Sequence, residues 1–199
     1  MTNSIAIFCG SALGSDQIFS ETARQVGHAI AEQGKTLVYG GGRSGLMGIV
    51  ADSALEAGGQ VIGVIPHVLV DRELAHQGLT ELHVVKDMQE RKLKMSALSD
   101  GFIAMPGGAG TLEEIFEQWT WAQLGIHLKP NAFLNVNGFY DDLLKFLKMT
   151  TDKGFTHARF TDSLIVSDSV KAILKQMDQF QAPEPKWGMG DPALWDVKA

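Results

Sequence analysis

The residues with the clearest chemical potential lie in the run Pro106-Gly107-Gly108-Ala109-Gly110-Thr111-Leu112-Glu113-Glu114. It follows the apolar stretch 101–105 and opens an apolar-periodic segment reaching Leu124, so it reads as strand, glycine turn and helix. Glycines at 107, 108 and 110 let backbone N–H groups come close to a ligand, where a Cβ would block the approach. The unpaired N–H groups of a first helical turn and the positive end of its dipole suit an anion such as phosphate, and Thr111 can add a hydroxyl. Glu114 then stands one helical turn, roughly 5 Å of rise, beyond the anion site. That is near the separation of a 5′-phosphate from its sugar. The glycines alone are also compatible with strand-to-helix packing and nothing more.

A second feature is the adjacent pair Arg91 and Lys92. With Met88, Met95 and Ser99 they fall on one helical stripe, so two cations sit on or beside a semi-apolar face. By pattern alone that fits a solvated helix edge.

Positioning these groups requires a scaffold, and the rest of the chain supplies one. Short apolar runs at 5–9, 36–39, 61–65, 81–85, 101–105, 131–135 and 164–167 alternate with helical segments. This predicts an α/β fold, a single Rossmann-like domain with a parallel sheet of about seven strands and helices on both faces. The first helix carries Phe19, Thr22, Ala23, Val26 and Ile30 on one face, with Ser15 as N-cap and Gly34 just past its end. Residues 66–80 read as a loop or short helix at the rim. Later helices are expected at about 140–153 and 170–180. All the glycine turns follow strands, at the sheet edge where ligands collect in such folds. Residues 1–181 form the domain, and 182–199, broken by Pro183, Pro185 and Pro192, form an irregular tail wrapping the surface.

Composition narrows the function classes. The chain has 199 residues, 45% hydrophobic and 20% charged, enough for one sizeable core. Its net charge of −6 is spread out, with no basic run to track a nucleic-acid backbone or an anionic membrane. Without a leader-like or spanning segment, a cytoplasmic location is expected. Cys9 is the only cysteine, so neither an intrachain disulfide nor a thiolate zinc cluster can form. The six histidines show no metal-ligand spacing, and no cofactor is expected.

The string Pro-Gly-Gly-x-Gly-Thr-x-x-Glu resembles the signature of the LOG (lonely guy) family, often labelled lysine-decarboxylase-like. The resemblance continues through Phe8-Cys9-Gly10-Ser11, Tyr39 to Arg43, Gly45 to Gly48, Gly63 to Pro66, Glu90-Arg91-Lys92 and Trp119 to His127. It implies a phosphoribohydrolase that cleaves the N-glycosidic bond of a nucleoside 5′-monophosphate, with adenine or an N6-substituted, cytokinin-type adenine as base. The products would be free base and ribose 5-phosphate. The resemblance makes Arg91 and Glu114 catalytic and reverses the solvated-edge reading of the Arg91 helix. It also implies substrate contacts from Glu73, Arg91, Lys92, Gly107, Gly108, Ala109, Gly110, Thr111, Leu112, Glu113, Glu114 and Thr120, and a homodimer or multiple of dimers. Where the family often reads Met-His-Glu-Arg-Lys, this chain has Gln89, so no histidine acts there.

Cleavage of an N-ribosidic bond passes through a cation-like sugar, so the site must hold phosphate, place negative charge near C1′ and help the base leave. The glycine turn suits the first task, Arg91 and Lys92 add positive charge at the same pocket, and Glu114 suits the second. Glu114 could equally bind the ribose hydroxyls or orient water. Competing readings are a carrier of a phosphorylated pterin-type cofactor and a single-stranded DNA binder, the latter disfavoured by the acidic charge balance. Decarboxylation would require a Schiff-base lysine for pyridoxal phosphate, for which no stretch argues. Gly40-Gly41-Gly42 lacks the Lys-Ser/Thr of a P-loop and reads as a shaped pocket wall. For Cys9 and Ser11 no adjacent base is placed to activate a nucleophile. Trp121, with Gly125-Ile126-His127, is expected at a subunit contact.

Overall fold

A computed structural model of the chain describes residues 2–70, 72 and 75–188. Seven strands form one sheet: β1 (Ser4–Phe8), β2 (Thr36–Tyr39), β3 (Gln60–Pro66), β4 (Glu81–Val85), β5 (Gly101–Ala104), β6 (Asn131–Leu134) and β7 (Ile165–Ser167). The order across the sheet is β4-β3-β2-β1-β5-β6-β7, and every pairing is parallel. The α/β architecture expected from the alternating pattern is therefore the one found.

Both faces of the sheet are buried, which is why the strands read as continuous apolar runs. Ile5, Ile7, Leu37, Tyr39, Ile103 and Met105 point into one core, which is closed by helices α1 (Gln17–Glu32), α2 (Gly45–Glu56) and, later in the chain, Val170–Asp178. Ala6, Phe8, Val38, Phe102 and Ala104 point into the other, under the helices of the opposite face. The alternation of these two sets along each strand is the period-2 geometry of extended chain.

In chain order the remaining helices are α3 (His67–Val70), α4 (Met88–Ala97), α5 (Ala109–Leu124), α6 (Asp141–Asp152), α7 (Ala158–Thr161) and α8 (Val170–Asp178), with a 3₁₀ turn at Val136–Gly138. The expected N-cap of α1, Ser15, is corrected to Asp16, whose carboxylate accepts from the Ile18 amide. A carboxylate at that place also complements the helix dipole, which a hydroxyl does not. The stop at Gly34 holds, with φ of +66° closing the helix. Ser99 of the Arg91 stripe lies beyond the end of α4, whose C-cap is Leu98. The described part of the tail runs beside the end of α5, where the Lys186 amide donates to the Gln123 carbonyl. The rest of the expected tail, 189–199, lies outside the described residues. No helix among the described residues is long and apolar enough to cross a membrane.

The topology decides where a ligand can sit. From β1 the chain moves outward to β4, then crosses back through α4 to β5 on the other side of β1. The direction reverses between β1 and β5, and their carboxyl ends open into a crevice there. That crossover also lays α4 on the same face as α5.

Candidate active site

The loops leaving β1 and β5 meet at the crevice and are tied together. Gly10 donates its amide to the Pro106 carbonyl, and Met105 donates to Phe8. Two adjoining clefts result. One, of about 270 Å³, is lined by Cys9, Gly10, Ser11, Met47, Arg91, Gly108 to Thr111 and Glu114. The other, of about 340 Å³, shares Gly10, Ser11 and Gly108 but is otherwise walled by Ala12, Leu13, Gly14, Phe19, Leu46, Pro106, Gly107 and Phe139. The first is polar and charged, the second largely apolar.

The three glycines of the turn have different tasks. A Cβ at Gly107 would lie 2.1 Å from the Thr111 hydroxyl oxygen and 2.9 Å from the Gly10 amide nitrogen, so this glycine is needed for packing. At Gly108 and Gly110 a Cβ would meet no atom within 4 Å. Packing therefore does not explain those two, and both line the polar cleft. Gly108 is also the N-cap of α5 and has no side chain to satisfy the first-turn amides. The helices α1, α4 and α8 are capped by the side chains of Asp16, Asp87 and Ser169, while α6 and α7 share with α5 the lack of a side-chain cap; what sets α5 apart is that its N-terminus opens on the polar cleft. An uncapped helix N-terminus opening on a cleft suits an anion by geometry and dipole alike.

Arg91, on the first turn of α4, and Glu114, on the second turn of α5, face each other across this cleft. Nη1 of Arg91 lies 3.8 Å from Oε1 of Glu114. Arg91 is 6% exposed, and its guanidinium is bonded on its other edges, Nε donating to the Val64 carbonyl and Nη2 to that of Gly40, both at 3.2 Å. Cys9 sits at the floor of the cleft, where burial and then the nearby Glu114 carboxylate push its thiol far above the ordinary range. A thiol so held is no nucleophile.

The structure separates residues that the sequence pattern put together. Lys92, expected to add charge at the same pocket as Arg91, is directed elsewhere: its Nζ lies 2.5 Å from Oε1 of Glu113 and 2.9 Å from Oε1 of Glu117. Successive helical residues differ by about 100° in direction, so one of the pair faces the cleft and the other the α5 helix. Glu113 is thereby drawn away from the cleft, and Leu112 packs on the core beneath α4 and α5. Neither lines the pocket. Thr120 is exposed on α5, six residues beyond Glu114. Glu73 lies outside the described residues. The contribution of the Val64 and Gly40 carbonyls was not readable beforehand, because a backbone acceptor carries no residue identity; the run of three glycines was the only hint.

Among the described residues, no group of three His, Cys, Asp or Glu could hold a metal ion. Among the described residues, no lysine lines either cleft.

The fold is that of a parallel-sheet α/β protein, and the amide turn at its β1/β5 crevice, facing an arginine–glutamate pair, has the geometry that suits an anionic small molecule. Comparisons with known proteins make this more specific. A family model described as "Possible lysine decarboxylase" matches residues 47–177. The cytokinin riboside 5′-monophosphate phosphoribohydrolase LOG7 of Arabidopsis thaliana is 42% identical over 96% of this chain and 88% of its own length. The rice protein LOG, of the same description, is 41% identical over 96% of this chain and 77% of its own. The chain belongs to this LOG family of lysine-decarboxylase-like proteins. Among solved structures, the molybdenum cofactor binding protein of Rippkaea orientalis superposes with a TM-score of 0.67 at 20% identity, covering 90% of this chain and 97% of that one, a likeness of fold.

Proposed function

We propose that this protein hydrolyses the N-glycosidic bond of a purine nucleoside 5′-monophosphate, with adenine or an N6-substituted adenine as the base. The observation carrying this reading is the join of two half-sites in one cleft: the open amide turn Gly108–Thr111 and the Arg91–Glu114 pair. The 5′-phosphate would rest on the turn, which sets the ribose within reach of Glu114. As the bond between C1′ and the base nitrogen breaks, positive charge develops on the sugar, and the Glu114 carboxylate stabilises it. Water adds its oxygen to C1′ and gives up one proton, while the departing base gains one, so the products are free base and ribose 5-phosphate. Nη1 of Arg91 is placed to donate to an oxygen or nitrogen on the reacting side. The LOG relatives act on substrates of this class by name, at about 41% identity.

The adjoining cleft, with Leu13, Phe19, Leu46, Pro106 and Phe139 in its wall, favours a base carrying an apolar N6 substituent. We assign the base and its extension to this side. We also propose a homodimer: α5 leaves Thr120 exposed and Trp121 only half buried, and Thr120 would meet a nucleotide as part of a neighbouring subunit.

The test is incubation with AMP, N6-isopentenyladenosine 5′-monophosphate and the two nucleosides, with chromatographic separation of products. Free base and ribose 5-phosphate are expected from the nucleotides, and rates on the nucleosides at least about 100-fold lower, since the phosphate supplies binding energy remote from the broken bond. Recovery of the nucleotide bound but intact would instead make the protein a carrier.

A further inference from the structure

Gly40 lies at the carboxyl end of β2, two strands from the phosphate turn, in a string of three glycines that the reaction chemistry leaves unexplained. Its neighbour Gly41 has φ of +77°, which accounts for glycine there by backbone conformation. Gly40 has no such requirement, because its φ is not positive. What it lacks is room. A Cβ at position 40 would stand 2.0 Å from Nη2 of Arg91 and 3.2 Å from its Cζ, with Met47 Sδ next at 3.3 Å.

The same guanidinium nitrogen donates to the carbonyl of Gly40, and Nε donates to the carbonyl of Val64 in the adjacent strand β3. Two carbonyls on neighbouring parallel strands thus hold two edges of a planar, rigid group. The remaining edge, Nη1, is left beside Met88 Sδ and Glu114 Oε1, each 3.8 Å away. A guanidinium fixed at two points cannot swing about its long side chain, so its donor edge is oriented before substrate arrives. Preorganised donors of this kind act most strongly in the transition state, since nothing has to be reordered when charge moves.

We propose that Gly40 is a positioning residue: its absent Cβ and its carbonyl, together with the Val64 carbonyl, form a berth that fixes Arg91 with Nη1 toward Glu114. The proposal rests on the catalytic reading of Arg91 given above, and it requires that the berth act through Arg91 alone. A larger residue at 40 would expel the guanidinium while leaving untouched the phosphate turn, which follows β5.

The experiment compares wild type with Gly40→Ala, Arg91→Lys and the double variant, using steady-state kinetics on AMP and the NMR signal of the Arg91 Nε–H. In the wild type that proton, bonded to a buried carbonyl, should exchange slowly. Gly40→Ala should lose this protection and lower kcat at least about 10-fold, with KM changed less than about 3-fold. In the Arg91→Lys background, where no Nη2 occupies the berth, Gly40→Ala should change kcat by less than about 2-fold. Should Gly40→Ala alone fail to fold, the double variant should fold, because the colliding group has been removed. Unaltered exchange in Gly40→Ala overturns the berth. Lost protection with full kcat, or multiplied losses in the double variant, overturns its positioning role. A wild type with the protected signal but no hydrolysis of any nucleotide keeps the berth and overturns the catalytic reading instead.

Discussion

Nη1 of Arg91 and Oε1 of Glu114 stand 3.8 Å apart across the polar cleft although the two residues are 23 positions apart in sequence, one on the first turn of α4 and the other on the second turn of α5. Glu114→Gln keeps the shape and much of the hydrogen bonding but removes the charge that opposes the developing sugar cation. We expect turnover to fall by about 10²–10³-fold, in the range found when a group stabilising transition-state charge is removed. Circular dichroism and nucleotide binding should stay near wild type. Retained turnover would remove Glu114 from the chemistry.

The glycines of the phosphate turn should respond in opposite ways. Gly107→Ala drives a Cβ into the Thr111 hydroxyl and the Gly10 amide, and should lower stability by about 1–3 kcal/mol in urea unfolding. Gly108→Ala meets nothing in the protein, so stability should change by less than about 0.5 kcal/mol while KM rises. An unchanged KM in a folded Gly108→Ala protein would contradict the placement of phosphate on the turn.

Lys92 fastens α4 to α5 through Glu113 and Glu117, and Ser96 with Gln118 adds a second cross-link one turn further on. Lys92→Ala leaves two carboxylates facing each other without their cation. A loss of about 1–3 kcal/mol is expected, with partial rescue when Glu113 and Glu117 are replaced by Gln as well. The measurement is chemical denaturation of the wild type and these two variants. A large change in KM with unaltered stability would return Lys92 to the substrate.

His127 sets a pH dependence. Burial, with the Lys129 ammonium adding to it, pushes the imidazole down to about 3, while in the unfolded chain it returns to 6.5. Its Nδ1 accepts the Lys129 amide, so the proton of the neutral ring sits on Nε2. Between those values the unfolded chain binds a proton that the folded one refuses. The stability this group contributes is therefore complete above pH 6.5 and declines as the pH falls toward about 3, at up to about 1.4 kcal/mol per unit. Urea midpoints followed from pH 7.5 to pH 4.5 should slope less in His127→Gln than in wild type. Equal slopes would show that another group governs the acid limb.

Assembly is tested by Trp121→Asp. If the outer face of α5 meets a second copy, a charge there should dissociate the dimer and lower activity together, and light scattering with activity assays on the same samples reads both. A wild-type protein that scatters as a single chain and is fully active would refute the dimer.

The sequence by itself determined the layers and the glycine turn that opens α5. Apolar runs such as 36–39 and 101–105 had to be strands buried on both faces, and glycines at 107, 108 and 110 ahead of an amphipathic segment had to open a helix. Those features depend on local periodicity and local backbone geometry, which a linear string contains. Tertiary structure alone decided that Arg91 enters the cleft while Lys92 clamps α5. The stripe allowed both, and only the crossover from β4 to β5, which lays α4 beside α5, distinguishes directions about 100° apart. It also decided that Gly40 is an arginine's berth and Gly107 a packing contact, whereas Gly108 and Gly110 face the open cleft. A glycine's letter records only a missing Cβ; what would have occupied that space is a neighbour distant in sequence, present only when the chain has folded.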